Sequence, residues 1–382
     1  MTLSLASSYS PPCPHFGLCG GCALQHLSPS DYRDYKQQKI LRSFERQKIS
    51  LDHVLFDPIE IVLPQTRRRA VLKAHRAAQS VVDVGFYQRE SHKIVDIQRC
   101  FVVLPEIEQL ISPLRQVLIT LLPLRSKAEI FVTKCEQGLD VALKRVEPSI
   151  LTLEQREAGA QFAIEQKLAR FSIDGEPLYI AASPTVSFSG FSVDITPDSF
   201  LQASFTSDEW LAKKVCHAIP PEPQKIADLF CGRGTLTLPL TKLGTVHGYE
   251  MDQKALIALQ KTITKHHLPV TLHHRHLFKE PLTLPELALF DTVVLNPPRE
   301  GALAQIKYLA QTQVKRIIMV SCNMQSCARD ARILIDGHYE LKELYPLDQF
   351  LWSEHVEVVA IFDLKKNIIS MRLSHFKNSL LF

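Results

Sequence analysis

An α/β chain with a parallel sheet in its C-terminal half is what this sequence predicts, on three observations. Four short apolar runs, Lys225–Phe230, Thr245–Glu250, Asp291–Leu295 and Arg316–Val320, recur with helix-length segments between them, the rhythm of βαβ units. A glycine-bearing turn, Cys231-Gly232-Arg233-Gly234, follows the first run and opens a helix. The last run, Ile317-Ile318-Met319-Val320, is continuously apolar and rich in β-branched residues, as in a strand buried on both faces, and stops at Ser321-Cys322-Asn323. Open α/β sheets bind ligands beyond the carboxyl ends of their strands, so Cys322 stands at an address for chemistry.

At 382 residues the chain is long for one domain. Changes of texture divide it into residues 1–50, a cysteine loop with a linking helix; 51–195, a central mixed α+β domain; and 196–382, a Rossmann-like domain. A hydrophobic content of 46% with 22% charged residues describes a globular protein. No apolar run approaches the roughly 20 residues of a membrane span. The N-terminus has neither the basic region nor the apolar core of a signal peptide, so a cytoplasmic location is expected. A net charge of +4 permits a nucleic-acid partner without requiring one.

Nine cysteines in a chain this long do not suggest a disulfide framework, and their clustering matters more than their number. Cys13, Cys19 and Cys22 fall in a C-x5-C-x2-C spacing. Thiolates so close together share a metal or a cluster, and Cys100 is the best candidate for a fourth. Spacing alone leaves zinc and [4Fe–4S] both open. The segment Ser28–Phe44 reads as a capped helix whose basic face is solvated.

In the central domain Thr66–Arg76 is the most basic stretch, with Val71, Lys73 and His75 alternating against Leu72 and Ala74 as on a strand with one charged face. Arg67–Arg69 suit phosphate contacts, and the alternative is an edge strand protected by charge. Tyr87 and Arg89 add pieces that stack on unpaired RNA bases. Leu104–Leu124 and Thr152–Arg170 look helical, with strands at Ala128–Thr133 and Leu139–Lys144. Gly159 inside the second helical stretch argues against it locally.

The turn after the first C-terminal strand carries Gly232 and Gly234 but not the G-x-G-x-x-G that cradles a pyrophosphate. The next strand ends on Glu250, where a carboxylate can accept ribose hydroxyls. A ribose without a phosphate cradle points to S-adenosylmethionine. Leu295-Asn296-Pro297-Pro298-Arg299 stiffens the end of the third strand and directs Asn296 towards the transferred methyl and the substrate.

Together these segments resemble the RNA 5-methyluridine methyltransferase family. The resemblance is carried by CPHFGLCGGCALQH, GFYQRESHKIVDIQRC, FLQAS, DLFCGRGTLTLPL, GYE, NPPREG, VSCNMQSCARDA and DQFLWSEHVE, in the family's order along nearly the whole chain. It implies a Rossmann-like S-adenosylmethionine-dependent methyltransferase domain, an N-terminal Fe–S loop and a central RNA-binding domain. It also implies a [4Fe–4S] cluster on Cys13, Cys19, Cys22 and Cys100. Gln202, Phe230 and Glu250 match cofactor-contacting positions, and Thr235 and Asn296 are read with them. Cys322 matches the nucleophile and Glu357 the general base. The expected partner is RNA, 23S rRNA ahead of tRNA, with the chain a monomer and no membrane involved. The sequence departs from the family pattern at Thr235, His276, Asn296 and Met324, where relatives often have Asn, Asp, Asp and Pro. The small RNA-binding β-barrel that begins many members is expected to be missing, with only twelve residues before Cys13.

The implied chemistry is covalent. A thiolate adds to carbon 6 of uracil, carbon 5 becomes nucleophilic and takes the methyl, and a base then removes the carbon 5 proton so that the thiolate can leave. Arg299 and Arg329 are candidate sources of the positive charge that favours thiolate, with solvation the expected role of Arg329. Cys231 and Cys327 are the rival nucleophiles. A receptor that binds RNA without turnover is the competing function.

Overall fold

The computed structural model describes residues 9–145, 149–197 and 199–365, so part of the N-terminal stretch read for a leader lies outside the described residues. The chain forms two compact units built from interrupted segments: 9–36, 61–210 and 348–355 in the first, and 37–60, 211–347 and 356–365 in the second. These differ from boundaries drawn at 50 and 195. The helices α1 (Pro29–Arg46) and α4 (Phe205–His217) run unbroken through the divisions, so no change of composition marks them.

Two short strands, β1 (Leu55–Phe56) and β2 (Glu60–Ile61), precede the main sheet of the first unit. That sheet contains β3 (Arg69–Ala78), β4 (Val81–Tyr87), β5 (Ile94–Asp96), β6 (Lys127–Cys135), β7 (Gly138–Arg145), β8 (Arg170–Ile173) and β9 (Glu176–Ile180). Their order is β5-β4-β3-β6-β7-β8-β9, antiparallel except for the β7–β8 pair. A hairpin, β10 (Thr185–Phe188) and β11 (Phe191–Asp194), follows. The helices α2 (Pro105–Leu121) and α3 (Leu153–Glu165) bury Ile107, Leu110, Leu114 and Phe162 in the same apolar core as Leu72 and Ala74 of β3. Thr152 and Gln155 form a reciprocal capping box at the start of α3, supplying two of the unpaired donors of a helix N-terminus with partners. Gly159 is explained by packing: a Cβ there would stand 2.6 Å from Leu178 Cδ1.

The alternation read in β3 is present, with Ala70, Leu72 and Ala74 buried and Val71, Lys73 and His75 half-buried. The edge-strand alternative is overturned, because β3 lies between β4 and β6. The phosphate-binding reading of the arginine cluster is corrected at its centre. Arg68 is fully buried, pairs with Asp208 at 2.6 Å and donates from Nε to the Gln202 carbonyl at 3.1 Å. A guanidinium committed to a buried carboxylate is not free to meet phosphate.

The second unit carries the predicted parallel sheet. Its strands are β12 (Gln224–Leu229), β13 (Gly244–Glu250), β14 (Val270–His274), β15 (Thr292–Leu295), β16 (Arg316–Ser321), β17 (Tyr339–Asp348) and β18 (Glu357–Leu364). The order β1-β17-β18-β16-β15-β12-β13-β14 reverses direction between β12 and β15. That switch point is where such sheets open a ligand crevice. From β14 to β16 all pairings are parallel, whereas β18 is antiparallel to both β16 and β17. Ile226, Val293, Leu295, Ile317 and Val320 are essentially inaccessible to water, and each such side chain contributes about 1.5–3 kcal/mol of transfer energy. The connections carry α5 (Thr237–Leu240), α6 (Gln253–His266), α7 (Leu284–Leu287), α8 (Leu303–Leu309) and α9 (Met324–Asp336).

Candidate active site

The antiparallel pairing of β16 with β18 sets Ser321 opposite Val358. Cys322, just past the end of β16, and Glu357, the first residue of β18, therefore come to the same end of the sheet. Glu357 is buried and Cys322 half-buried. The two groups interact electrostatically. Burial pushes the Cys322 thiol up to about 11, the Glu357 charge adds to the rise, and the Arg299 guanidinium opposes it by charge and by a hydrogen bond to the thiol.

The loop carrying Arg299 is fixed to the cysteine loop from the other side. Asn323 Nδ2 and Ser326 Oγ both donate to the Arg299 carbonyl, each at 3.0 Å. Asn323 also caps α9 by accepting the Gln325 N–H at 2.9 Å. Met324 is then the first residue of α9, the position where proline is favoured because that N–H needs no helical partner. The departure from proline is thus accommodated, with the Met324 side chain buried. Arg329 is occupied structurally, pairing with Asp330 at 2.7 Å and donating to the Glu300 carbonyl at 3.0 Å. The rival thiols are enclosed. Cys231 and Cys327 are both buried, and burial raises both well above the ordinary thiol value.

Arg299→Gln removes the one side-chain charge that favours the thiolate. The acid limb of the kcat/KM profile should move to higher pH, and the rate at pH 7.5 should fall about tenfold. An unmoved acid limb would separate Arg299 from the thiol.

The turn after β12 has the geometry of a cofactor loop. Phe230, Gly232 and Gly234 all have positive φ, and a Cβ on Gly234 would stand 2.6 Å from Leu259 Cδ1. Glu250 closes the turn, its Oε2 accepting the Gly232 N–H at 3.0 Å. Its Oε1 accepts from Met251 and Asp252 at 2.7 and 2.9 Å. Each carboxylate oxygen offers about two acceptor sites, so Oε2 keeps one for a ribose hydroxyl rather than a pair for both. Thr235 is half-buried on the turn. Asn296, also half-buried, donates its backbone N–H to Leu229 at 3.2 Å and so sits beside the end of β12. Phe230 packs against Phe278 at 5.3 Å, and the His276 ring meets Phe278 edge-on. His276 Nδ1 is buried with no hydrogen-bond partner among the described residues. These residues fit a nucleoside-bearing methyl donor: a carboxylate for the ribose, an aromatic wall, and an unused buried acceptor or donor for a base edge.

Asp228, next to last in β12, is fully buried and accepts from Thr237 Oγ1 at 2.6 Å. Burial pushes it up to about 7, and the neighbouring Glu250 charge adds to the rise. A carboxyl whose value is raised on folding stabilises the fold while protonated. That contribution is lost as pH climbs from about 4, where the unfolded chain ionises, through about 7. The Tm of Asp228→Asn relative to the unsubstituted protein should therefore rise between pH 5 and pH 8 in calorimetry. A difference that is flat with pH would refute this.

Gln202 belongs to the first unit. Its side-chain oxygen accepts from Gln349 Nε2 at 2.8 Å, while Gln349 Oε1 takes the Ala203 N–H at 3.0 Å. With Arg68 on its carbonyl, the loop bearing Gln202 is held from two sides. Gln349 was not singled out from sequence, since a lone glutamine 147 positions away carries no signal.

The cysteine loop also lies in the first unit. All four thiols are half-buried, Cys19 and Cys22 each feel the charge of Cys13 and Cys100, and burial is the main cause of their raised values. The Gly21 N–H donates to Cys19 Sγ at 3.4 Å, and Gln25 and the Val102–Val103 backbone oppose the rises at Cys22 and Cys100. His15 instead accepts the Gln98 N–H, and His26 packs on Phe16. Among the described residues no three His, Cys, Asp or Glu side chains converge as a single-ion site. Four thiols are the donor set that either a zinc ion or a thiolate-held cluster would need.

Comparison with known proteins agrees with this architecture. Residues 209–320 match the model of the methyltransferase small domain. An uncharacterized RNA methyltransferase of Mesorhizobium japonicum is 38% identical over 358 residues, 92% of this chain and 84% of that one. The 23S rRNA (uracil(1939)-C(5))-methyltransferase RlmD of Dechloromonas aromatica is 29% identical over 93% of this chain and 85% of its own. The crystal structure of Pyrococcus abyssi tRNA (uracil-54, C5)-methyltransferase superposes with a TM-score of 0.69 at 22% identity, covering 91% of this chain and 86% of that one. The switch-point sheet and its glycine turn thus define an α/β methyltransferase of the S-adenosylmethionine-dependent class. Within that class, the chain belongs to the RNA methyltransferase family. No helix among the described residues is long and apolar enough to cross a membrane.

Proposed function

We propose that the protein methylates carbon 5 of a uridine in RNA, with Cys322 as nucleophile and Glu357 as general base. The observation that carries this reading is the pairing of a half-buried thiol with a buried carboxylate at one sheet end, with the Arg299 charge favouring the thiolate. The methyl donor supplies an electrophilic methyl group; the chain's residues do the rest. Arg299 favours the thiolate that adds to carbon 6, and the ring's electrons shift so that carbon 5 takes the methyl. Glu357 accepts the carbon 5 proton, the carbon–sulfur bond breaks, and the thiolate is restored. Glu250, Phe230, Thr235, Asn296 and Gln202 are the residues we assign to the donor, with His276 Nδ1 as a partner for its base. A target uridine in folded RNA must leave its stack to reach Cys322.

Ribosomal RNA of the large subunit is the favoured substrate, because the 29%-identical relative that covers 93% of the chain is named for 23S rRNA. The tRNA enzyme is similar in fold. A [4Fe–4S] cluster on Cys13, Cys19, Cys22 and Cys100 belongs to the same reading. The reaction contains no redox step, so the cluster's role is structural. Iron and acid-labile sulfide with a band near roughly 400 nm are expected; zinc in their place would reject it.

RNA carrying 5-fluorouridine tests the chemistry directly. Fluorine at carbon 5 cannot leave as a proton does, so the protein should be trapped on RNA in a denaturant-stable adduct that needs the methyl donor. RNA binding without an adduct would favour a receptor without turnover.

A further inference from the structure

Lys36 is a lysine with no exposed side-chain surface, in the helix whose basic face the sequence suggests is solvated. Its ammonium donates to Asp348 Oδ1 at 2.9 Å and to the His355 carbonyl at 2.5 Å. Those two residues are the feet of the loop that joins β17 to β18. Asp348 ends β17, and His355 stands two residues before Glu357. The other oxygen of Asp348 accepts the Tyr32 hydroxyl, and Tyr32 oxygen in turn accepts the Trp352 N–H at 2.7 Å, in the middle of the same loop. The Trp352 carbonyl takes the Ala23 and Leu24 N–H groups at 2.8 and 3.0 Å, immediately after Cys22. The loop is thus held at both feet and at its crown.

A buried ion pair is weak grounds for stability, since apolar residues of like volume are often as good or better. A grip on both ends of one loop is a reason to retain it. Resting on the function proposed above, we propose that Lys36, Asp348 and Tyr32 are positioning residues that hold the backbone entering Glu357, and so set the proton-removal step. Their hydrogen bonds named above run to this loop, so addition and methyl transfer should be spared.

The two steps separate experimentally on RNA with ordinary uridine, where the methylated adduct forms and then breaks down. Tyr32→Phe removes one bond of the network, and the double variant Lys36→Met/Asp348→Leu removes both charges, so no buried charge is left unpaired. In each folded variant, adduct formation should stay within about threefold and adduct breakdown should slow at least about tenfold, so that a denaturant-stable protein–RNA species accumulates. Breakdown at the unsubstituted rate, or formation and breakdown falling together, would overturn the proposal. An unsubstituted protein that forms no adduct with 5-fluorouridine RNA would instead remove the uridine chemistry itself, and the proposal with it.

Discussion

Cys322→Ala is expected to lower methyl transfer to RNA at least about 10⁴-fold while leaving RNA binding within a few-fold. The size follows from the chemistry. Carbon 5 of uracil is a poor nucleophile, and no side chain other than a thiolate in this site can add to carbon 6. Cys231 and Cys327 cannot substitute, because both are buried whereas Cys322 is half-buried and has the Arg299 charge favouring its thiolate. Cys327→Ala removes only a buried sulfur from α9, so it should keep activity within about tenfold while costing some stability. Transfer of a labelled methyl group to RNA, measured for both variants beside a binding assay, decides the matter. An active Cys322→Ala, or a dead but folded Cys327→Ala, would reject Cys322 as the nucleophile.

Much of the second unit was legible because its strands are short, apolar and punctuated. The four strands read from sequence match β12, β13, β15 and β16 to within a residue or so at each end. Phe230, read as the end of a strand, has instead turned into positive φ to open the glycine loop. β14 escaped notice because Val270–His274 carries two histidines and no apolar run. β17 and β18 escaped as strands because their segment was recognised by motif alone. What the sequence could not reveal is long-range polar pairing. Arg68 and Lys36 look like surface cations in a basic stretch and a basic helix, and both are buried against carboxylates 140 and 312 positions away. No local pattern distinguishes a solvated cation from one whose partner arrives from another segment. Arg299 was legible as a candidate because it follows the paired prolines at a strand end. The Asn323 and Ser326 ties to its carbonyl, which fix its loop to the cysteine loop, are displayed only by the folded chain.

Glu357→Gln should act on two steps in opposite directions. The carboxylate raises the Cys322 value, so an uncharged amide lets the thiol ionise more readily, and the acid limb of adduct formation should move to lower pH. That is the reverse of the shift expected for Arg299→Gln, and the two together bracket the electrostatics of the sulfur. The amide cannot accept the carbon 5 proton, so release should slow by about 10²–10⁴-fold. The net result is a protein that stalls on ordinary uridine RNA as a methylated, denaturant-stable adduct and turns over scarcely at all. A structural carboxylate predicts something else: loss of both steps in parallel, with no adduct and a lowered Tm. Quenched-flow measurement of adduct formation and decay, across pH 6 to 9, separates the outcomes. If Glu357→Gln forms no adduct while Cys322 remains reactive to a small thiol reagent, the base must be sought elsewhere. The Lys36 grip on the backbone before it would then serve folding alone.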